Sequence, residues 1–260
     1  TLNQIMTELV SDGVDIIIPI ATPTALIAQS VTEDNQIPVV FSAVTDPVSA
    51  GLVASMDAPG ANITGTSDAI DTDAIMKLIL KANSKTKKLG LLYDKSQDSS
   101  KQAIADAKKF CKENGISVVE KTGTTNDEVA LAADALVAAK VDAVFTPTDN
   151  TIMKAELAIY EKFVNAKIPH YTGADSFALN GAFAGYGVNY KELGVETADM
   201  VADILVNGAK PGEMAIKTLN NGIATINTET AEQIGLDYSG FKDICEKVVE
   251  TKTAKEFDEK

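Results

Sequence analysis

The sequence predicts an α/β protein made of two doubly wound parallel-sheet lobes, with several chain crossings between them. Short continuous apolar runs alternate with amphipathic helical stretches along most of the 260 residues. Such runs are typical of parallel strands that helices cover on both faces, and the alternation implies right-handed crossovers. The length suits one large domain or two lobes, at about 150 residues per domain.

The chain opens on a helix, although a doubly wound sheet normally opens on a strand. The opening helical stripe consists of Leu2, Ile5, Met6, Leu9 and Val10, and Gly13 closes the helix. We therefore expect that at least one strand, and indeed a whole strand-helix-strand unit, precedes Thr1 in the parent protein. The first lobe would then lack its initial strand-helix-strand unit.

Seven apolar runs are predicted to be strands, and helical stripes lie between them. The strands are Asp15–Ile20, Pro38–Ala43, Lys88–Tyr93, Ser117–Glu120, Ala143–Thr146, Ile168–Thr172 and Ala182–Gly187. The clearest later stripes are Ala103, Ala107, Phe110 and Cys111, then Ile152, Ala155, Ile159 and Phe163, then Tyr190, Leu193, Thr197, Met200 and Ile204.

Hydroxyl and acidic residues mark the starts of these helices. Thr22 before Pro23 predicts an N-cap followed by proline at the first helical position. Thr125 with Glu128 fits a capping box. We further expect Ser99 or Ser100 to cap the helix after Tyr93, Asp149 or Asn150 to cap the helix after Phe145, and Gly115 to close the helix before the strand at Ser117.

The segment Asn62–Lys87 is predicted to join the two lobes. Gly65 and a short polar run precede a helix at Ala74–Lys81, and a new series of strands starts at Lys88. Further crossings are expected at Gly185–Gly187 and Gly208–Gly212. The predicted lobes are 1–66 with 188–213, and 67–187 with 214–250. The charged tail, which begins near Glu250 and covers 251–260, is expected to be frayed and without function.

The charge and composition exclude several classes of protein. All 23 basic residues are lysine, there is no tryptophan, and the net charge is −14. Because no arginine fork is available, nucleic acid is not expected as a partner. A bound carboxylate must instead be held by helix termini, hydroxyls, amides or lysine. The longest apolar run, Ile16–Ala21, is far shorter than the roughly 18 residues of a membrane helix.

Signals for catalysis, metals and cofactors are weak. The single histidine, His170, lies in a predicted strand and is expected to be packed. Cys111 and Cys245 lie in helical patterns and are expected to be free, buried thiols. No nucleophile elbow or phosphate-binding loop occurs. We expect no enzyme activity, no metal and no cofactor.

A cluster of acids at Asp68, Asp71 and Asp73 lacks the spacing of a calcium loop. We expect these carboxylates to cap and charge the start of the next helix.

The candidate ligand site is a set of polar loops that follow five predicted strands. Ligands of open α/β sheets collect at the carboxyl ends of strands. The candidates are Thr22, Pro23, Thr24, Ser42, Ala43, Thr45, Asp46, Tyr93, Asp98, Ser99, Ser100, Thr148, Asp149, Asn150, Asp175 and Ser176. Tyr93, Phe41, Phe177 and Tyr186 are candidates for flanking a ligand side chain, although core packing explains each of them better.

These groups suit a small zwitterion. A carboxylate can bind the free N–H groups of a helix start, aided by Thr22, Thr24 or Ser99. An ammonium needs a carboxylate, and the candidate acids are Asp175, Asp149, Asp98 and Asp46.

Several runs resemble the substrate-binding proteins of ABC importers. The runs are 15–24, 37–47, 147–150, 173–176 and 185–194. The resemblance covers almost the whole chain and is strongest to a group described in part as binding tryptophan or other aromatic amino acids. Members of this group carry about one further strand-helix-strand unit before the position of Thr1.

The resemblance implies a type I periplasmic-binding fold, in which two lobes close on a ligand around a three-segment hinge. It implies that Thr22–Thr24 and Ser42–Thr45 hold an α-carboxylate and that Asp175 faces an α-ammonium. It also implies second-lobe contacts from Asp98–Ser100 and Thr148–Asn150.

The expected function is that of a non-enzymatic, extracytoplasmic solute receptor, at the cell surface or in the periplasm. It would deliver an aromatic or apolar amino acid to a cognate membrane permease, and it would meet the membrane itself only through a lipid anchor before Thr1. One alternative is a sugar or nucleoside receptor of the same fold, which the lack of tryptophan disfavours. Another is the ligand-sensing domain of a transcription regulator, which the acidic charge disfavours.

Overall fold

The computed structural model describes residues 1–219 and 221–254, which form two compact units. Unit 1 consists of Thr1–Ala69 with 188–219, and unit 2 consists of Ile70–Gly187 with 221–254. The chain therefore passes from one unit to the other after Ala69, after Gly187 and between 219 and 221.

The two units alternate helices and strands along the chain. The helices are α1 (Leu2–Ser11), α2 (Thr22–Thr32), α3 (Thr72–Ala82), α4 (Asp98–Glu113), α5 (Asn126–Ala138), α6 (Asn150–Asn165), α7 (Asp175–Leu179), α8 (Tyr190–Asn207) and α9 (Thr228–Ile234), with short 3-10 helices at Pro211–Glu213 and Ser239–Asp243. The strands are β1 (Val39–Phe41), β2 (Ile63–Ser67), β3 (Lys88–Tyr93), β4 (Ser117–Thr122), β5 (Ala143–Thr146), β6 (His170–Thr172), β7 (Ala184–Gly187), β8 (Lys217–Thr218), β9 (Ile223–Asn227) and β10 (Lys247–Thr251).

Unit 1 contains a three-stranded parallel sheet in the order β1-β2-β8. The predicted strand Asp15–Ile20 contributes only two isolated parallel bridges, from Ile17 to Val39 and from Ile20 to Ser42. These bridges still place the end of this segment beside the end of β1, and α2 starts immediately after it. The core of the unit contains the fully buried residues Phe41 and Ile63.

Unit 2 contains a seven-stranded sheet in the order β10-β9-β7-β6-β5-β3-β4. All its pairings are parallel except that of β7 with β9. The strands bury their apolar side chains, among them Leu91, Phe145 and Tyr171, in one continuous cluster. The predicted fold class, α/β with mostly parallel sheets, is confirmed.

Two strands that are continuous apolar runs were predicted with the observed bounds, and several strands without such a run were missed. β3 and β5 have the predicted bounds. β2 lies inside the predicted joint because Ile-Thr-Gly-Thr-Ser holds a single large apolar residue, yet all five residues are buried. Gly65 is needed there, because a Cβ atom at this position would overlap the carbonyl oxygen of Phe41. β8, β9, β10 and α9 were also not predicted.

The expectation of a frayed tail from Glu250 is wrong for the described residues. Glu250 and Thr251 belong to β10, which pairs in parallel with β9. The Ala254 amide then donates to the Leu179 carbonyl at 2.8 Å. The rest of the predicted tail, 255–260, lies outside the described residues.

Both cysteines are free, but only one lies in a helix. Cys111 is buried in α4, as predicted. Cys245 is half-buried and follows the 3-10 helix at Ser239–Asp243, so its predicted helical setting is wrong.

The predicted helix caps were correct at two of four helices. The Thr125 hydroxyl accepts from the Glu128 amide at the start of α5, and Asp149 caps α6. The other half of the predicted capping box is wrong, because the Glu128 carboxylate accepts from the Thr124 amide instead of the Thr125 amide. By contrast, α2 and α4 begin at Thr22 and Asp98, after residues that make no side-chain cap bond. Thr22, Ser99 and Ser100 are therefore first-turn residues rather than caps.

Candidate functional site

In unit 1, two of the predicted ligand loops lie side by side. The Ala21 amide donates to the Ser42 carbonyl at 2.9 Å, and the Ser42 amide donates to the Pro19 carbonyl at 2.9 Å. These bonds continue the parallel pairing past the end of β1. The start of α2 is thereby placed next to the loop Ser42–Asp46.

The Thr22 hydroxyl is buried and unpaired. Thr22 is 3% exposed, and its Oγ1 has no hydrogen-bond partner among the described residues. Thr24 differs, because its hydroxyl turns back to the Ala21 carbonyl at 2.9 Å and to the Ile20 carbonyl. Pro23 is half-buried in the first turn and has no N–H to offer. Because the first amides of a helix also lack intrahelical partners, Thr22 lies where an anion would satisfy several donors.

The backbone of these two loops is strained. Ala21 has φ 70° and ψ 158°, in a region that is essentially reserved for glycine. Ala43 has φ 56°, in the left-handed region that β-carbons disfavour. Such conformations cost about 1–3 kcal/mol each and cluster at binding sites. The strained residues therefore lie in two of the loops that were predicted to bind the ligand.

Hydroxyl groups from β2 and α8 surround the loop Ser42–Asp46. The Thr197 hydroxyl lies 3.0 Å from Ser42 Oγ and 2.9 Å from Thr66 Oγ1. The Asp46 carboxylate accepts from the Ser49 amide at 2.9 Å and closes a turn.

Asp68 is a buried acid of unit 1 that the sequence analysis misassigned. Its carboxylate accepts from the Thr45 hydroxyl at 2.9 Å and from the Tyr190 hydroxyl at 2.8 Å. Burial raises the pKa of the Asp68 carboxyl, against the lowering effect of these hydroxyls. The expectation that it caps the next helix is wrong, since Asp71 caps α3. Asp68 directly follows β2, and this position at a strand end would have placed it among the candidate site residues. The position was not apparent from the sequence because β2 was not predicted.

In unit 2, the predicted residues after β3 and β5 contact one another. Ser100 donates to the Asp149 carboxylate at 2.7 Å, and Ser99 donates to the Thr148 carbonyl at 3.0 Å. Asn150 donates to the Gln97 side chain at 3.3 Å. The two predicted loops that follow β3 and β5 are therefore in contact.

The acids of these loops are held by local donors. Asp149 accepts from the amides of Asp94, Thr151 and Ile152 as well as from Ser100. Burial raises the pKa of the Asp149 carboxyl. Burial also acts to raise the pKa of Asp94, but hydrogen bonds from Ser96 and Thr151 lower it overall.

Asp98 and Asp175 are less enclosed. Asp98 forms an ion pair with Lys101 one turn along α4. Asp175 is half-buried at the first position of α7. Burial raises the pKa of the Asp175 carboxyl, and the Ser176 amide opposes this effect. The preceding Gly173 lies against the Thr148 loop, since a Cβ on it would be 2.9 Å from the Thr148 nitrogen.

The aromatic candidates belong mainly to the core. Phe41 and Phe177 are fully buried, which is the interpretation that the sequence favoured. The Tyr93 hydroxyl donates to Glu120 at 2.7 Å, and burial together with this contact raises the Tyr93 pKa to about 12. Burial likewise raises the pKa of Tyr186 to about 12.

His170 is a satisfied core histidine, as predicted. Its Nδ1 lies 2.9 Å from Glu156 Oε1, and its Nε2 lies 2.8 Å from the Thr146 hydroxyl.

Among residues 1–219 and 221–254, no group of three or more His, Cys, Asp or Glu side chains is arranged to hold a metal. No helix in those same stretches is long and apolar enough to span a bilayer.

Comparison with known proteins identifies the family. The sequence profile described as "ABC transporter substrate binding protein" matches residues 1–243. The chain belongs to this family. A tyrosine-binding protein of Clostridioides difficile (strain R20291) is 35% identical over 237 residues, covering 91% of this chain and 67% of the relative.

Solved structures of the family share the fold. A crystal structure of an ABC domain in complex with L-Trp from Streptococcus pneumoniae has a TM-score of 0.87 and 30% identity, covering 95% of this chain and 83% of the other. The ligand-free, open structure of a substrate-binding protein with adhesive properties from Clostridium difficile has a TM-score of 0.70 and 32% identity, covering 97% and 83%. These matches confirm the predicted family, the substrate-binding proteins of ABC transporters, and the predicted type I periplasmic-binding fold.

Proposed function

We propose that this substrate-binding protein binds an aromatic amino acid outside the cytoplasm and delivers it to the membrane permease of an ABC importer. Its relatives include a tyrosine-binding protein and a structure in complex with L-Trp. The observation that carries the proposal is the buried, unpaired Thr22 hydroxyl at the start of α2, beside the strained Ser42 loop.

The α-carboxylate of the ligand binds at the start of α2 in this proposal. The unpaired amides of the first turn and the positive end of the helix dipole favour an anion there. The Thr22 hydroxyl supplies a further donor, and the residues Ser42, Ala43 and Thr45 line the adjoining loop. No arginine exists in the chain to compete for this role.

The α-ammonium of the ligand pairs with Asp175. Burying an ammonium without a counter-charge costs several kcal/mol, so one accessible acid dominates binding. Asp46, Asp98 and Asp149 already have a turn amide, a lysine and several amides as partners. Within residues 1–219 and 221–254, the hydrogen bonds that lower the pKa of Asp175 come from backbone amides, and an ammonium would complete the coordination of its carboxylate.

The remaining candidates are assigned lesser roles. Asp98–Ser100 and Thr148–Asn150 add contacts from unit 2, and Ser176 lies beside Asp175 at the start of α7. The chain acts as a binding protein and catalyses no reaction. Closure of the two lobes on the ligand, through its higher affinity for the closed state, remains a prediction, as does a lipid anchor at the cell surface.

Ligand binding is best tested with L-tryptophan itself, because the chain contains no tryptophan. Excitation at the red edge of indole absorption reports only on the ligand, so its fluorescence anisotropy measures binding directly. L-tyrosine is then added as a competitor. We expect micromolar or tighter dissociation constants for at least one of the two.

A thermal-shift screen of the twenty amino acids, several sugars and several nucleosides separates the alternatives. A ligand that binds the native state raises the melting temperature by mass action. A shift with a sugar or nucleoside and none with any amino acid would overturn the proposal in favour of a different receptor of the same fold.

A further inference from the structure

The loop Ser42–Asp46 contains a strained residue. Ala43, inside the loop, has φ 56°, and strained residues persist only where the surroundings over-determine them. The contacts that hold this loop therefore matter as much as the loop residues themselves.

The end of β2 supplies three of these contacts. The Val44 amide donates to the Thr66 carbonyl at 3.2 Å. The Ser67 hydroxyl donates to the Thr45 carbonyl at 3.1 Å. The Thr45 hydroxyl donates to Asp68 Oδ1 at 2.9 Å.

Asp68 ties this loop to a third segment of unit 1. Its other oxygen, Oδ2, accepts from the hydroxyl of Tyr190 at 2.8 Å, and Tyr190 is the first residue of α8. Asp68 and Tyr190 are 122 positions apart in sequence. Each of them lies within three residues of a point where the chain passes between the units.

The Asp68 carboxylate determines the direction of both hydrogen bonds. The Thr45 and Tyr190 hydroxyls both donate to Asp68, and an ionised carboxylate can only accept hydrogen bonds. The orientation of the Thr45 hydroxyl is thereby fixed. Burial of Asp68, which is 5% exposed, strengthens both contacts, because hydrogen bonds gain strength in a low-dielectric interior.

We propose that Asp68, held by Tyr190, is a positioning residue for ligand binding. It sets the conformation of the Ser42–Asp46 loop and the direction of the Thr45 hydroxyl, without contacting the ligand itself. This inference rests on the proposed function, in which that loop binds the amino acid.

Two variants and one matched control test this role. Asp68→Asn replaces an acceptor oxygen with an amide group that faces a hydroxyl donor. Tyr190→Phe removes only the hydroxyl at the far end of the contact. The control, Tyr238→Phe in unit 2, also removes a tyrosine hydroxyl that donates to a carboxylate, that of Glu250 at 2.9 Å.

Three quantities are measured for each variant. They are the dissociation constant for L-tryptophan well below the melting transition, the melting temperature, and the hydrogen exchange of the ligand-free loop 42–46. We expect about tenfold weaker binding for Asp68→Asn and a smaller loss for Tyr190→Phe, with faster exchange of the loop in both. Tyr238→Phe should bind as the wild type does.

A merely structural role for Asp68 would lower the melting temperature and leave the dissociation constant of the folded protein unchanged. That result, or unchanged loop exchange in Tyr190→Phe, overturns the inference even if Asp68→Asn fails to fold. If the wild type binds no amino acid, the proposed function fails instead, and loop exchange in the ligand-free variants still decides the role of Asp68.

Discussion

The strand-end loops of both units contain hydroxyl and acidic residues, but the units differ in the hydrogen bonds that these residues make. In unit 1 the buried Thr22 hydroxyl has no hydrogen-bond partner in the part of the chain that the structure describes, and the backbone is strained at Ala21 and Ala43. In unit 2 the side chains of Ser100 and Asp149 bind each other. A polar residue after a strand is therefore only a candidate for ligand binding, because residues of a neighbouring loop can already form its hydrogen bonds.

Asp175→Ala is expected to have the largest effect, since it removes the carboxylate that we propose pairs with the ammonium of the ligand. Loss of the counter-charge to the ammonium should weaken amino-acid binding at least about a hundredfold, with the fold intact. Calorimetry measures the affinity, and Asp134→Ala, which breaks the exposed pair with Lys162, is the control. Retained micromolar affinity in Asp175→Ala would refute the assignment of the ammonium site.

The pH dependence of binding should follow the same carboxyl. Because burial raises the pKa of Asp175, its proton must leave before an ammonium can pair with it. Affinity is therefore fully present above this raised pKa and is lost as pH falls through it, by up to about tenfold per pH unit. Titrations across the acidic range should show this slope in the wild type and lose it in Asp175→Asn. An equal dependence of affinity on pH in the wild type and in Asp175→Asn would show that a group other than Asp175 causes it.

Thr22→Val separates binding from stability in unit 1. The variant removes a buried hydroxyl for which the described residues supply no hydrogen-bond partner, so stability should stay equal or rise. Ligand affinity should fall by about tenfold because a donor to the carboxylate is lost. Chemical denaturation and ligand anisotropy measure the two effects. A clear loss of stability with unchanged affinity would contradict the distinction between the units.

Ser100→Ala is the counterpart in unit 2. It leaves the buried Asp149 carboxylate short of one hydrogen bond, so the free energy of unfolding should fall by about 1–2 kcal/mol. Any change in ligand affinity should be smaller than that of Thr22→Val. Urea denaturation monitored by circular dichroism measures the loss, and a neutral result would indicate that the unit 2 hydroxyls are as dispensable as that of Thr22.

Ala21→Gly should have the smallest effect. Glycine adopts the observed φ of 70° without the β-carbon penalty, at some cost in unfolded-state entropy. The net stabilisation should be below about 1 kcal/mol. Thermal melts compare it with Ala139→Gly, at a position with an ordinary φ of −72°, where glycine should destabilise. Destabilisation of both variants alike would contradict strain at Ala21.

Sequence patterns predicted the parts of the fold that depend on strong local signals. β3 and β5 are continuous apolar runs and were assigned with the observed bounds. β2, Ile-Thr-Gly-Thr-Ser, was missed because it holds one large apolar residue, and β9, Ile-Ala-Thr-Ile-Asn, because small and polar residues interrupt its two isoleucines. The misassignment of Asp68 followed directly from the missed β2.

The sequence by itself determined the alternation of strands and helices, the candidate loops at the strand ends and the packed setting of His170. Each of these depends on residues close together in the chain. Only the tertiary structure decided which polar groups remain unpaired, because their partners are distant. Thr45 meets Asp68 across 23 positions and Asp68 meets Tyr190 across 122, and no local periodicity records contacts over such separations.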